Sequence, residues 1–476
     1  MTARSTVALA GLALLLAAGC AHYPVNQPLA RLDPSAGYRF QNLAHDTNSD
    51  SLLIILAFSG GGKRAAALSY GVLEELARTR IAWGGDRRRL LDEVDVISSV
   101  SGGSFTAAYY ALHGDGIFQD FEPRFLKKNM GGRLWGQYCL PVNWFRLASP
   151  HYDRIDMVAD YLDRRLFDRQ TFGDLLQRGQ RPYVMINATD MALGSRFEFT
   201  QEQFDLIYSD LSSFPIARAV AASSAFPVIL SPATLRNYSS ARTEAEPEWI
   251  RNALHNGTVS SRRRNRAMEA RSYLDVSRRP YLHFLDGGLA DNLGLRGPLD
   301  MLLEQETPWQ AMRAFQLQSL RKVVLIVVNA SVPMDNGSER TENAPGLFSV
   351  LRAAQHVPIN RYSFETVELF NEYFERWAQE IRVRREKIAA LQRSQEGFDP
   401  RRLPPSELTY YSIELSFDAV PDEKERAFFK SLPTSLTLPP ETVDRLRAVA
   451  AQLLRQSGQY QRLLKDLGAE TGKAGK

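Results

Sequence analysis

The chain has 476 residues, 44% of them hydrophobic, enough for one large core with additions or for two domains and far more than a binding peptide needs. Lys and Arg total 58 against 54 Asp and Glu, scattered except for clusters at Arg87, Arg88, Arg89 and at Arg262, Arg263, Arg264, Arg266. Neither cluster has interleaved aromatics or a reading motif, so no nucleic-acid partner is expected, and a basic loop facing solvent or anionic headgroups is the simpler account.

In chain order, residues 1–19 read as a targeting segment: Arg4 supplies the positive end, VALAGLALLLAA a short apolar run, and AAGC closes it. The run is too short to span a bilayer as a helix. Its ending in Ala18, Gly19, Cys20 resembles a bacterial lipoprotein signal, with Cys20 the lipidated first residue of the mature chain. Ala17 departs from that pattern, where leucine is commoner; Leu16 lies one place further back. An ordinary secretory signal with an unmodified Cys20 is the alternative. A lipidated Cys20 implies anchoring in the bacterial envelope on the periplasmic side, at the outer membrane ahead of the inner. It also leaves Cys139 without a partner, so no structural disulfide is expected.

Residues 20–50 are rich in Pro, Asn and Asp and read as a tether. The first buried strand is SLLIILAF, residues 51–58, followed by SGGGKRA and a helix whose Ala65, Leu68, Val72 and Leu76 share a face up to about Thr79. A second strand, 94–100, ends at Ser101 and gives way to a helical pattern in Phe105, Ala108 and Leu112. Further strands are expected at 183–190, 196–200, 281–288 and 322–330, with a polar, arginine-rich excursion at 235–280. A charged helix over Thr366 to about Leu391, a late strand at 410–418 and a proline-opened helix at PPETVDRLRAVAAQLLRQ follow, before a tail at 467–476 expected to be disordered. Apolar strands interleaved with helices predict an α/β fold, with a mainly parallel central sheet covered on both faces.

The glycines of SGGGKRA fail as a nucleotide P-loop, which needs glycine at position 57 and Ser or Thr after the lysine; the chain has Ala57 and Arg64. Gly60, Gly62 and Ala65 satisfy the GxGxxA dinucleotide form, but Arg78, Thr79 and Arg80 stand near the place, about 20 residues on, where a ribose-binding acid is expected. Common to all readings is a string of backbone N–H groups at the positive end of a helix. Such a nest stabilises an anion, whether a phosphate or the oxyanion of an attacked ester.

Ser101 follows a strand and precedes Gly102 and Gly103, the arrangement of a nucleophile elbow, with Ser99 in place of the usual first glycine. Serine needs a base. Of the seven histidines only His356 lies beyond the most attractive acid, Asp286, and it falls at the end of the expected helix LFSVLRAAQH, where capping is ordinary chemistry. His283 alternates to the side of its strand opposite Asp286. Asp286 ends the strand YLHFL and is followed by Gly287 and Gly288, so its carboxylate can project from a tight turn at the sheet's carboxyl edge or bond its own backbone. An ordinary carboxylate, of pKa about 4, is a weak base at neutral pH and would depend on the oxyanion nest and a dry pocket.

As a set, SGGGKRA (59–65), SVSGG (99–103), NATDMALGSRFEF (187–199), ARAVAASSAFPVILSP (217–232) and FLDGGLADNLGL (284–295) resemble the patatin-like phospholipase family over roughly residues 50–340. The resemblance implies a three-layer α/β/α sandwich hydrolase domain over 51–340, leaving 341–466 as a largely helical C-terminal region. It implies Ser101 as nucleophile, Asp286 as base, and an oxyanion loop of Gly60, Gly61 and Gly62 in which Gly61 and Gly62 donate and Gly60 shapes the turn. Arg64 would stand at the family's basic place, with Gly103 and Gly287 in support and Asp190 as a structural residue near the site. Ser99 and Ala65 depart from the family pattern, each with a small side chain. The substrate implied is an acyl ester of a membrane lipid, with no cofactor and no metal, no calcium loop or HExxH site being visible. A Ser-Asp-His esterase using His356 and a non-catalytic lipid-binding protein remain the alternatives.

Overall fold

The computed structural model describes residues 26–44, 48–83, 85–227, 229–257, 259–303, 319–332, 346–392 and 408–469, with isolated positions 310, 312, 317 and 342. The targeting segment, Cys20 and the last seven residues lie outside the described residues.

The described residues form ten strands: β1 (Leu52–Phe58), β2 (Arg80–Trp83), β3 (Asp86–Arg89), β4 (Val94–Val100), β5 (Tyr183–Asp190), β6 (Arg196–Glu198), β7 (Ala233–Arg236), β8 (Tyr281–Asp286), β9 (Lys322–Asn329) and β10 (Thr409–Ser416). Eight make one sheet in the order β10-β9-β1-β4-β5-β8-β7, with β6 beside β5; β2 and β3 pair separately. From β10 to β5 all pairs are parallel, and β1, β4 and β5 are buried along their whole length, as strands covered on both faces must be. Beyond β5 the sheet is antiparallel: β8 runs against β5 and β7, and its residues alternate between buried and exposed. The central sheet is therefore mixed, its parallel half carrying the continuous apolar runs and its antiparallel half an alternating one.

That reversal bears on Asp286. β8 overlaps only the last three residues of β5, with Ala188 opposite Asp286 and Asp190 opposite Phe284. Because β8 approaches from beyond the sheet, its C-terminal residue arrives at the carboxyl edge of the parallel strands although it travels the other way.

The helices α1 (Gly62–Arg78) and α2 (Gly102–His113) follow β1 and β4. Two short helices, α3 (Met130–Tyr138) and α4 (Pro141–Leu147), come next, and α5 (Ile216–Ser223) precedes the Ala225–Pro227 turn. Toward the C-terminus lie α6 (Leu347–Gln392) and the proline-opened α7 (Pro440–Gln456). Nearly all of α1 is buried because the sheet covers one side and α7 the other. At their crossing Gly71 is required, since a Cβ there would lie 2.7 Å from the Arg447 carbonyl oxygen. Glu75 receives both Nε and an Nη of Arg455, each at 2.6 Å. Among the described residues no helix is long and apolar enough to cross a membrane.

Several segments differ from expectation. Residues 26–44, expected as a tether, are built into the domain: Tyr38, Phe40 and Leu43 are buried, and Tyr38 accepts the Val184 N–H at 2.8 Å. The excursion after residue 235 is organised by helices Glu248–His255 and Ser261–Tyr273 between β7 and β8. The late strand is the edge of the central sheet itself, paired with β9 over eight residues. Finally, α6 does not stop near His356 but runs on to Gln392, so a C-terminal cap by that histidine does not arise. The side chain of His356 lies outside the described residues.

Candidate active site

Ser101 closes β4 and precedes α2 with φ 49° and ψ −117°, a conformation a non-glycine residue holds only under constraint. The constraint is visible. The Ser101 N–H donates to Ser223 Oγ at 2.9 Å, and Ser223 in turn donates to the Asn187 carbonyl at 2.6 Å. Ser104 Oγ lies 3.1 Å from the same Ser223 hydroxyl. The turn admits no side chain at its next two positions: a Cβ on Gly102 would lie 2.0 Å from the Gly62 carbonyl oxygen, and one on Gly103 2.6 Å from that of Phe58. Ser99, where the elbow pattern has glycine, fits because its Oγ turns to β5 and donates to the Met185 carbonyl at 3.1 Å.

Ser101 Oγ donates to Asp286 Oδ2 at 2.7 Å. The other carboxylate oxygen accepts the Gly288 N–H at 2.8 Å, and no cation among the described residues compensates the charge. Burial therefore pushes the Asp286 carboxyl up to about 6, with the bonds from Ser101 and Gly288 pulling the other way. The acid is fixed from its backbone: its N–H donates to Ala225 O at 2.9 Å, and its carbonyl accepts the Thr189 hydroxyl at 2.8 Å. Gly287 must be glycine, since a Cβ would lie 2.2 Å from the Asn187 carbonyl oxygen.

Beside the serine, Gly61 (φ 139°) and Gly62 (φ 61°) turn the chain into α1 through conformations closed to other residues. No acceptor among the described residues takes either N–H, as befits the first turn of a helix. Gly60 behaves differently. Its N–H donates to the Asn292 carbonyl at 3.0 Å, so of the three loop glycines it shapes the nest and is not free to serve it. Arg64 is buried behind the loop, its Nε donating to Ala330 O at 2.9 Å and its guanidinium to Leu432 O at 2.5 Å and Thr434 Oγ1 at 3.3 Å. It ties β9 and the 432–434 segment to the nest, and burial lowers it to about 10. Ala65 is buried in α1 and intrudes nowhere.

Ser101 and Asp286 sit in the wall of a cavity of about 740 Å³ lined chiefly by apolar side chains, among them Phe105, Leu134, Val158, Leu162, Phe226 and Leu230. A second, small cavity of about 40 Å³ touches the same two residues from the side of Gly60, Asn292 and Ser331. Among the described residues no histidine lines either space. His283 is exposed on β8 and bonds Thr234 Oγ1 at 2.9 Å. Asp190 is fully occupied: it accepts the Ala192 and Leu193 N–H groups, the Tyr273 hydroxyl at 3.0 Å and the Arg279 guanidinium. The arrangement brings together a hydroxyl, an uncompensated carboxylate, two free N–H groups and an apolar void, which is the equipment for acyl transfer from an ester.

Ser223, Asn187 and Asn292, whose carbonyl holds Gly60, carry no sequence pattern of their own. Each lies inside one of the five motif stretches. The one separate signal is the serine pair Ser223–Ser224 after IARAVAA, a run that is apolar but for Arg218.

A family model for patatin-like phospholipase matches residues 56–299, just over half of the chain. No curated protein sequence matches it significantly. Among solved structures, human GIVD cytosolic phospholipase A2 in complex with methyl gamma-linolenyl fluorophosphonate aligns at 14% identity, over 88% of this chain and 59% of that one, with a TM-score of 0.38. VipD from Legionella pneumophila aligns at 11% identity, over 84% of this chain and 67% of that one, with a TM-score of 0.27. The chain thus spans less than two thirds of the length of the phospholipase A2 structure.

Proposed function

Since the chain belongs to the patatin-like phospholipase family, whose members hydrolyse lipid esters, we propose that it cleaves acyl esters of membrane lipids with Ser101 and Asp286 as a two-residue catalytic pair. The observation that carries this reading is the 2.7 Å bond from Ser101 Oγ to a carboxylate whose basicity is raised by burial, in the wall of an apolar cavity.

In this mechanism Asp286 takes the Ser101 proton as Oγ attacks the ester carbon, and the oxyanion that forms accepts the N–H groups of Gly61 and Gly62. The intermediate collapses with cleavage of the ester C–O bond. Asp286 returns its proton to the departing alcohol, leaving the acyl group on Ser101. Water then attacks the acyl-enzyme, giving a proton to Asp286, and the fatty acid leaves as Ser101 Oγ recovers that proton. The large cavity accepts the acyl chain. The small one beside Gly60 has room for the attacking water.

Phospholipase A and lysophospholipase activity share this chemistry. A non-catalytic lipid binder would be favoured had Ser99 and Ala65 closed the oxyanion nest, but Ser99 Oγ turns to the Met185 carbonyl and Ala65 is buried in α1, and neither takes the Gly61 or Gly62 N–H. We further infer that Cys20 is lipidated and holds the enzyme on the periplasmic side of the bacterial envelope, at the outer membrane, where its substrate is concentrated.

The test is fatty-acid release from purified phosphatidylglycerol and lysophosphatidylglycerol. Release by the parent and none by Ser101→Ala is expected; equal release by both overturns the assignment. An acyl mass on Cys20 tests the anchor.

A further inference from the structure

α3, α4 and the turn between them carry Trp135, Leu140, Val142, Trp144 and Phe145, each between 45% and 70% exposed. Five large apolar side chains exposed within residues 135–145 of a folded domain mark an interaction surface. The pair is not loosely held. Met130 and Leu134 are buried on its inner side, Asn143 Nδ2 donates to the Gln137 carbonyl at 2.8 Å, and Trp144 Nε1 donates to the Tyr138 carbonyl at 2.6 Å. Arg146 lies over the Tyr152 ring at 3.9 Å and bonds Asp160 at 2.8 Å. These bonds fix the backbone so that the apolar residues face outward.

Two observations say what covers them. The first is charge: residues 127–152 contain Lys127, Lys128, Arg133 and Arg146 and no Asp or Glu. Lys128 and Arg133 are exposed and form no ion pair with described residues. The second is continuity. Trp135 is exposed on the outer face and also lines the cavity that holds Ser101, together with Tyr138 of α3, and across the opening Ile229 does both as well. Tryptophan, tyrosine and basic residues around an apolar face are the composition of a segment lying at a membrane interface.

We propose that α3 and α4 form a bilayer-docking face: their apolar residues enter the boundary between headgroups and acyl chains of an anionic membrane, so that the cavity opens onto the lipid it takes. This rests on the reading of Ser101 as a lipid acyl hydrolase and specifies how that site meets its substrate. Lys128 and Arg133 supply the attraction to anionic headgroups.

The test uses the full chain with Cys20→Ser, so that no acyl group holds it to lipid, and vesicles of phosphatidylglycerol and phosphatidylethanolamine. The double variant Val142→Ser/Phe145→Ser is expected to lose at least tenfold in vesicle co-sedimentation, and Val142→Leu/Phe145→Trp to keep it. Turnover of the soluble ester p-nitrophenyl butyrate should be the same in all three. Brominated acyl chains should quench the tryptophan emission of the parent and not of the serine variant. Undiminished vesicle binding by the serine variant overturns the proposal. So does a parent dimer, seen by light scattering, that the serine variant dissolves while vesicle binding persists, since the face then belongs to a second copy. Vesicle binding without turnover of the soluble ester overturns the catalytic reading and leaves the docking face standing.

Discussion

Two carboxylates end neighbouring strands at the same edge of the sheet, and their surroundings are opposite. Asp190, at the end of β5, accepts two backbone N–H groups, a tyrosine hydroxyl and the guanidinium of Arg279. Asp286, at the end of β8, accepts one backbone N–H and the hydroxyl of Ser101, with no cation near among the described residues. Both are buried, so burial alone does not make a base. A carboxylate saturated by a cation and by donors that keep their protons is a strut. One left short of donors, with a serine hydroxyl as its main partner, holds a charge that relaxes by taking that proton.

Swapping the character of either group should show which is which. The largest effect is expected from Asp286→Asn, which keeps the shape and removes the base: turnover of a soluble ester should fall by about a thousandfold, the range of a lost general base. Next is Arg279→Met, which leaves Asp190 buried and unpaired. Chemical denaturation should show a loss of about 3–5 kcal/mol, with turnover per folded molecule unchanged.

The third contrast is one of pH. Asp286 is raised to about 6 from an ordinary 3.8, so its neutral form is the one folding favours. That stability is fully present below about pH 4 and is lost as pH rises through 6, to a total of about 3 kcal/mol. Asp286→Asn never ionises, and it should therefore be more stable than the parent at pH 8 and equal to it at pH 4. The rate runs the other way: because the base must be ionised, kcat/KM of the parent should fall about tenfold per unit below pH 6 and be level above it. A smaller effect is expected from Ser223→Ala, which frees the Ser101 N–H. A roughly tenfold loss in kcat with little change in KM would mark it as a positioning residue, whereas an unchanged kcat would show that the elbow holds its strained turn without it. Smallest of all is the response to a chelator. The steps proposed use only groups of the chain, and EDTA should leave the rate on soluble ester where it was.

The legible parts of the site are those where backbone meets backbone. Gly102 against Gly62, Gly103 against Phe58 and Gly287 against Asn187 leave no room for a Cβ, so the glycines stand in the sequence as a visible print of the contact. The alternating burial along YLHFLD was legible as a strand, but its direction was not. Direction depends on how the 235–280 excursion brings the chain back beside β7 and β5, both of which β8 meets antiparallel. Ser223 and Asn292 were illegible for a related reason: one acts through its hydroxyl and the other through its carbonyl, upon residues far off in the chain. The polar composition of residues 26–44 likewise hid the burial of Tyr38, Phe40 and Leu43, because a few side chains suffice to dock a segment.

Reaction with a fluorophosphonate probe, followed by peptide mass spectrometry, tests the pairing of Ser101 with Asp286 most directly. A single adduct is expected on the peptide bearing Ser101, formed at a rate that falls below pH 6 and at least a hundredfold more slowly in Asp286→Asn. An adduct on another serine, or equal labelling rates in the parent and Asp286→Asn, would contradict it.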